Sequence, residues 1–433
     1  MPIIQTQISA GKQPTGTTQI TSNGTHNVAG YEFADVQVPT TAPAHYIEKT
    51  NDGTGKLVNG ATSVIDLTGI TEIDERVLNY AYYNDTNLTG NVDFSSITNI
   101  GKYGCAYAFY GCTGITGVNL SSLTTISNMY ACQYMFYGCT GITGNLDLSS
   151  FTDLSTQSCC EQMFSACTGI TSVDLSGLTS VSSGSSCCVN MFQSCTGLTS
   201  FDLSNLTTIA ASSGCNNMFR MCKNITNANL SSLKTVSGSS GLSGMFYSCT
   251  GLTNADLSSL ETLSDSQTCY QMFYGCTGIT RIDFCSLSNM TGTQCLRQMF
   301  YKCTGLQTVS FYALDTTSFG TATNQFSQML QNCSNVTVHF PMRIQGTIGS
   351  WSDVTGGFSG TSTTVLFDIV TTITGADSNS YVRQQKDSTS TATAWDLNGT
   401  LYYTSGTAEP VVNDTIYSDA GCTTPVTTVS AIA

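Results

Sequence analysis

The chain has 433 residues, only 10% of them charged, and its 14 Lys and Arg stand against 28 Asp and Glu for a net charge of -14. Phosphate backbones would be repelled by such a surface, which argues against a nucleic-acid binder or a basic membrane-surface protein. No apolar run approaches the roughly 20 residues that cross a bilayer. The opening MPIIQTQISAGKQPTG has no basic stretch followed by an apolar one, so no cleaved export signal is expected either.

Taken in chain order, residues 1–55 form a separate N-terminal attachment segment, and from about residue 56 to 345 one unit returns every 27 or 28 residues. Its landmark is a cysteine column: Cys112, Cys139, Cys167, Cys195, Cys222, Cys249, Cys276, Cys303 and Cys333. A period of this size predicts a solenoid, in which each coil buries its apolar side only when the next coil stacks on it. Asp85 holds the cysteine place in the first unit, and Val64, Ile65, Leu67, Ile70 and Ile73 read as a half coil before it. No proline lies between Pro43 and Pro341, as an unbroken ladder requires.

Within a unit, Cys132, Met135, Phe136 and Cys139 fall at i, i+3, i+4 and i+7, which predicts a helix of about two turns. Two places after the column cysteine stands Gly or Asn (Asn87, Gly114, Gly141, Gly169, Gly197, Asn224, Gly251, Gly278, Gly305, Asn335), read as a left-handed helix stop. An alternating stretch such as Val173, Asp174, Leu175 then predicts a short strand. The expected fold class is an α/β solenoid of about ten coils, a short strand and a short helix in each. A cap over residues 346–370 and a small β-rich domain over 371–433 follow.

The blocks MFYGCTGITGNLDLSS, MFSACTGITSVDLSGLTSV and MFYGCTGITRIDF resemble the BspA-type leucine-rich repeats of bacterial and phage surface proteins, over about 280 residues. The resemblance implies a leucine-rich-repeat stack used for adhesion, without catalytic residues to carry over. Residues 20–39, ITSNGTHNVAGYEFADVQVP, and the tail NGTLYYTSGTAEPVVNDTIYSDAGCTTPVTTVSAI look similar to phage tail and fibre proteins of gut bacteria. Together these imply a non-enzymatic phage virion protein, on tail fibre, baseplate or capsid exterior, assembled in the host cytoplasm. It would be held to other virion proteins by its N-terminal segment and would contact a glycan or protein of the bacterial surface. The alternatives are a bacterial cell-surface BspA-like adhesin and a purely structural decoration protein.

Three columns bear on chemistry. The cysteines recur as Cys-x6-Cys at 105/112, 132/139, 160/167, 188/195, 215/222 and 269/276, and Leu242 replaces one of them, which identifies a buried apolar column of reduced thiols. If any pair oxidises, Cys159 with Cys187 in adjacent coils is the best placed. A zinc site is not expected, since the chain holds only His26, His45 and His339. An acidic ladder of Asp66, Asp93, Asp147, Asp174, Asp202, Asp256 and Asp283, interrupted by Asn119 and Asn229, offers either a calcium site or hydrogen bonds to the Ser-rich turn that follows. The residue after the unit's phenylalanine is Tyr110, Tyr137, Tyr247, Tyr274 or Tyr301, with Tyr83 ahead of them and Ser165, Gln193 and Arg220 between. That polar mixture predicts an exposed tyrosine stripe suited to glycan or protein contacts. No cofactor or metal and no enzymatic activity are expected, because the hydroxyl residues form columns rather than one activated site.

Overall fold

A computed structural model describes residues 67, 70–319, 324–349, 351–355 and most of 358–432. Before residue 67 it describes only the strands Ile4–Thr6, Ile8–Ser9, Gly24–Val28, Tyr31–Val36 and Tyr46–Lys49. Val64, Ile65 and Asp66 lie outside the described residues. The repeat region is a β-solenoid of about 11 turns. One strand per coil builds a parallel ladder that begins at Gly90–Asp93 and Ile115–Asn119 and ends at Thr308–Phe311, Thr337–Pro341 and Thr364–Asp368. A second, two-residue strand per coil builds a parallel ladder of its own, with Ser180–Val181, Thr208–Ile209, Thr235–Val236 and Thr262–Leu263 in register. Near the start of the stack, Tyr46–Lys49 pairs in parallel with Glu72–Ile73.

The third side of each coil is not a helix, which corrects the α/β expectation. Over residues 103–112 alternate amides point forward: Cys105, Tyr107 and Phe109 donate to the carbonyls of Ala131, Gln133 and Met135 in the next coil at 2.8–2.9 Å. The amides between them close tight turns on themselves, as Ala106 to Tyr103 and Ala108 to Cys105. Every fourth residue is left-handed: Tyr103, Tyr107 and Gly111 have φ of 56°, 56° and 71°, and Ser186, Asn190 and Ser194 repeat this at 59°, 54° and 60°. A helix would spend all its amides internally and forbids positive φ; here half of them join coil to coil. Turns of four residues bury two and expose two, so Ala131 and Cys132, Met135 and Phe136, and Cys139 face inward while the pairs between them face out. Over two turns a period of four and one of 3.6 residues place the same positions inside. Among the described residues helix occurs only in the last coil, at Met342–Ile344, Gln345–Ile348 and Ser352–Thr355, between the strands Thr337–Pro341 and Thr364–Asp368.

The core is a set of columns along the stack. Phe109, Phe136, Phe164, Phe192, Phe219, Phe246, Phe273 and Phe300 are fully buried and stack at 5.2–5.8 Å between neighbours. Each column cysteine packs beside them and also donates its thiol to the carbonyl of the ring residue in the coil before, Tyr82 for Cys112 and a phenylalanine for the others. Cys139 reaches Phe109 O at 3.0 Å, Cys195 reaches Phe164 O at 3.1 Å and Cys303 reaches Phe273 O at 2.9 Å. The column therefore joins small apolar volume to one donor, which leucine in its place could not supply.

The glycines two places on do not end helices. Gly141 and Gly197 lack positive φ, and a Cβ on them would meet the carbonyl oxygens of Thr113 and Thr168, both at 2.3 Å. They are small because the preceding coil's backbone passes there. Asn224, in the same column, turns its amide onto Thr196 O at 2.8 Å.

In the last coil Ile344, Ile348, Trp351 and Phe358 pack with Phe326 and Phe340, and Phe367 stacks on Phe340 at 5.8 Å. Strands Thr372–Gly375, Ser380–Arg383, Ala392–Leu397, Thr400–Ser405, Thr415–Tyr417 and Pro425–Ile432 then close into an antiparallel barrel around Tyr381 and Trp395. Arg343 ties barrel to stack, donating to Tyr312 O, Leu314 O and Pro410 O at 2.6, 2.7 and 3.0 Å.

Candidate functional site

The turn layer sets the tyrosines. Tyr83, Tyr110 and Tyr137 stack at 4.8 and 4.6 Å, and Tyr247, Tyr274 and Tyr301 at 4.3 and 4.8 Å. The guanidinium of Arg220 lies 4.1 Å from the Tyr247 ring centre and prolongs the second run by cation–π contact. All six side chains are partly exposed. A second column went unnoticed in the sequence: Tyr80, Tyr107 and Tyr134 stack at 4.6 Å per step, three residues before the first. Tyr103 and Tyr130 add a third at 4.7 Å, with Arg76 5.2 Å from the Tyr103 ring. The signal was available as Tyr-x-x-Tyr at 80/83, 107/110 and 134/137. Eight tyrosines thus crowd one face of the first three coils.

Five of them sit where tyrosine is costly. Tyr80, Tyr103, Tyr107, Tyr130 and Tyr134 have φ between 55° and 59°. Left-handed backbone costs about 1–2 kcal/mol at a residue with a side chain, and later coils fill the column of Tyr107 with Gln162, Asn190, Asn217, Gly244, Gln271 and Gln298. Ring stacking returns about 0.5–1.5 kcal/mol per pair, which offsets the strain without making tyrosine the cheaper choice. The left-handed position recurs in every coil, so the strain belongs to the turn layer, and what marks this face is the choice of tyrosine at that position. Because the rings stack along the solenoid, their faces are spent on each other, and the surface shows ring edges and hydroxyls. This narrows the flat-area argument for sugar stacking. Burial pushes Tyr107, Tyr110 and Tyr134 above the ordinary tyrosine range, followed by the neighbouring phenols at Tyr107 and Tyr110 and by the Glu161 carboxylate at Tyr134, so these hydroxyls stay protonated.

The acidic ladder is in register, Asp147 beside Asp174 beside Asp202. Each carboxylate is turned onto its own strand end: Asp93, Asp147, Asp174, Asp202 and Asp256 accept the amides of Ser95, Ser149, Ser176, Ser204 and Ser258 at 2.8–3.0 Å. The Ser149 hydroxyl and amide hold the Asp147 carboxyl below its usual range, and Asp283 pairs with Arg281 at 2.5 Å. Among the described residues no three His, Cys, Asp or Glu are grouped to hold a metal ion. No described helix is long and apolar enough to cross a membrane.

The cysteines are free thiols, all buried except Cys285 and Cys422, which are partly so. Burial pushes Cys112, Cys195 and Cys249 up to about 12 and Cys295 and Cys333 up to about 11. Such thiols are inert. In the first unit Asp85 is buried and accepts the Asn87 amide at 3.1 Å.

Comparison with known proteins agrees with this repeat. Residues 75–213 and 106–252 match the BspA type leucine rich repeat region, in six copies. Residues 213–340 match a family described as a Mycoplasma protein of unknown function. The chain is similar to a leucine rich cell surface protein from Faecalibacterium prausnitzii A2-165, with 15% identity over 79% of this chain and 95% of that one. The TM-score is 0.25. No curated protein matches. The flank resemblances and the virion placement have no support from these matches. Residues 75–252 of the repeat array are thus repeats of the BspA leucine-rich type.

Proposed function

We propose that the chain is a non-enzymatic surface adhesin of bacterial cells, and that it contacts a protein partner through the tyrosine face of its first coils. The observation that carries the reading is the strained array of Tyr80, Tyr107 and Tyr134 beside Tyr83, Tyr110 and Tyr137. Tyrosine edges and hydroxyls offer rigid amphipathic contact with little rotamer entropy to lose, the composition that protein-binding surfaces favour. A sugar ring would need the ring faces, which the stacks occupy. The repeat family supports the surface location, and the virion reading has no observation of its own beside it.

The test is antibody labelling of intact producing bacteria, together with binding of the purified chain to host-cell and bacterial surfaces. A variant with Tyr80, Tyr107 and Tyr134 changed to Asn serves as control. Asparagine suits left-handed backbone, so this variant folds at least as well as the parent and loses most of the binding. Labelling confined to phage particles or to the cell interior would contradict the location, and undiminished binding by the variant would contradict the face.

A further inference from the structure

The turn layers of residues 213–222, 240–249, 267–276 and 294–303 hold Arg220, Arg297 and Lys302 and no Asp or Glu, on a chain whose net charge is -14. Lys223 follows the first of these layers directly and is exposed, as is Lys302. Elsewhere on the same coils cations are neutralised, Lys234 by Glu261 and Arg281 by Asp283, but among the described residues no carboxylate pairs with any of these four. Three of them lie on tyrosines instead: Arg220 is 4.1 Å from the Tyr247 ring centre, Lys302 is 5.6 Å from those of Tyr274 and Tyr301, and Arg297 is 5.6 Å from that of Tyr270. Tyr247, Tyr274 and Tyr301 spend their faces on one another. Tyr270, which is partly exposed, has no ring against it, because Asn216, Ser243, Arg297 and Ser327 hold its place in the coils around it.

We propose that these four coils carry a second binding site, for a polysaccharide bearing carboxylates. Guanidinium and ammonium groups give charge-assisted hydrogen bonds to acid groups, and the C–H face of a sugar ring packs on an aromatic face that no other ring occupies. Tyr270 supplies that face, and Arg297 beside it supplies a cation for the acid of the same sugar. Coils recur about every 4.8 Å, so Arg220 and Lys302, three coils apart, stand ~14 Å from each other along the stack. That span exceeds one sugar and suits a polymer. The acidic remainder of the surface repels a polyanion and so confines it to this strip.

The full chain is titrated onto immobilised polygalacturonate, its methyl ester and polyglutamate. It should bind polygalacturonate, less tightly as salt is added, and bind the uncharged ester far less. Arg220→Gln with Lys302→Asn should weaken polygalacturonate binding about tenfold or more. Gln193 and Asn332 already stand in those two columns, and Ser243 in that of Tyr270, so the substitutions keep the stack. Tyr270→Ser should weaken binding to polygalacturonate and leave any binding to polyglutamate unchanged. The variant with Tyr80, Tyr107 and Tyr134 changed to Asn should bind polygalacturonate as the parent does, so this site and the first-coil face stand or fall separately. No binding of polygalacturonate by the parent, equal binding by the Arg220 and Lys302 double variant, or polyglutamate bound as tightly as polygalacturonate would overturn the assignment.

Discussion

Raising the pH should unfold the stack well before it would unfold a protein held by aliphatic residues alone. A thiol whose folded value is raised favours the folded state fully below its unfolded value near 9, and that contribution is lost as pH climbs toward the folded value, because the unfolded chain releases the proton first. Cys112, Cys195 and Cys249 at about 12, and Cys295 and Cys333 at about 11, are all still protonated in the fold at pH 10. Each then gives up on the order of 1 kcal/mol, together several kcal/mol, which is comparable to the whole stability of a typical domain. Cys139, Cys167, Cys222 and Cys276, held up by the same burial, add to the loss. The assay is equilibrium circular dichroism from pH 7 to 11, with thiolate absorbance near 240 nm recorded on the same samples. The two signals should move together in one cooperative step between about pH 9 and 10.5. A stack that keeps its spectrum to pH 11, or thiolates that appear gradually in a folded chain, would refute buried thiols as a principal part of the core.

Phe192→Ala removes a fully buried ring from the middle of the column, between Phe164 at 5.8 Å and Phe219 at 5.6 Å. Urea unfolding should show a loss of about 3–5 kcal/mol, with Phe192→Leu costing under about 1.5 kcal/mol. Since each coil touches only its neighbours, a lowered m-value in the alanine variant would mean that the stack has split at that coil. Arg343→Ala leaves three carbonyls, on Tyr312, Leu314 and Pro410, without their shared donor. The penalty is about 1.5–3 kcal/mol, to be read as faster release of residues 372–432 by a protease while the repeat region stays intact.

The repeat, its register and its inner residues were legible because a solenoid writes its period into the chain. Once Cys112 and Cys139 are aligned, Phe109 and Phe136 follow, and the strand at Ile170–Asp174 shows in its alternation. The turn layer was misread for a reason of arithmetic. Cys132, Met135, Phe136 and Cys139 fit a helical face and a square of four-residue turns equally over so short a span. What separates the two is the outward residue of every fourth place. Gly111, Gly138, Asn190, Asn217, Gly244 and Gly275 are poor helix formers that accept positive φ. The glycine column misled in the opposite sense: Gly141 is demanded by a neighbouring carbonyl, and nothing in one coil's sequence announces the coil before it. The second tyrosine column was legible at the 27-residue period of Tyr80, Tyr107 and Tyr134, but that these rings stack on one another shows only once the coils are assembled.

That the tyrosines stand on turns wired to the next coil, and not on helices, is the claim from which the proposed binding face is built. Far-UV circular dichroism of the purified chain at neutral pH tests it most directly. The structure predicts a weak spectrum dominated by strand and turn, whereas the 208 and 222 nm minima that a two-turn helix in every coil would produce would contradict it.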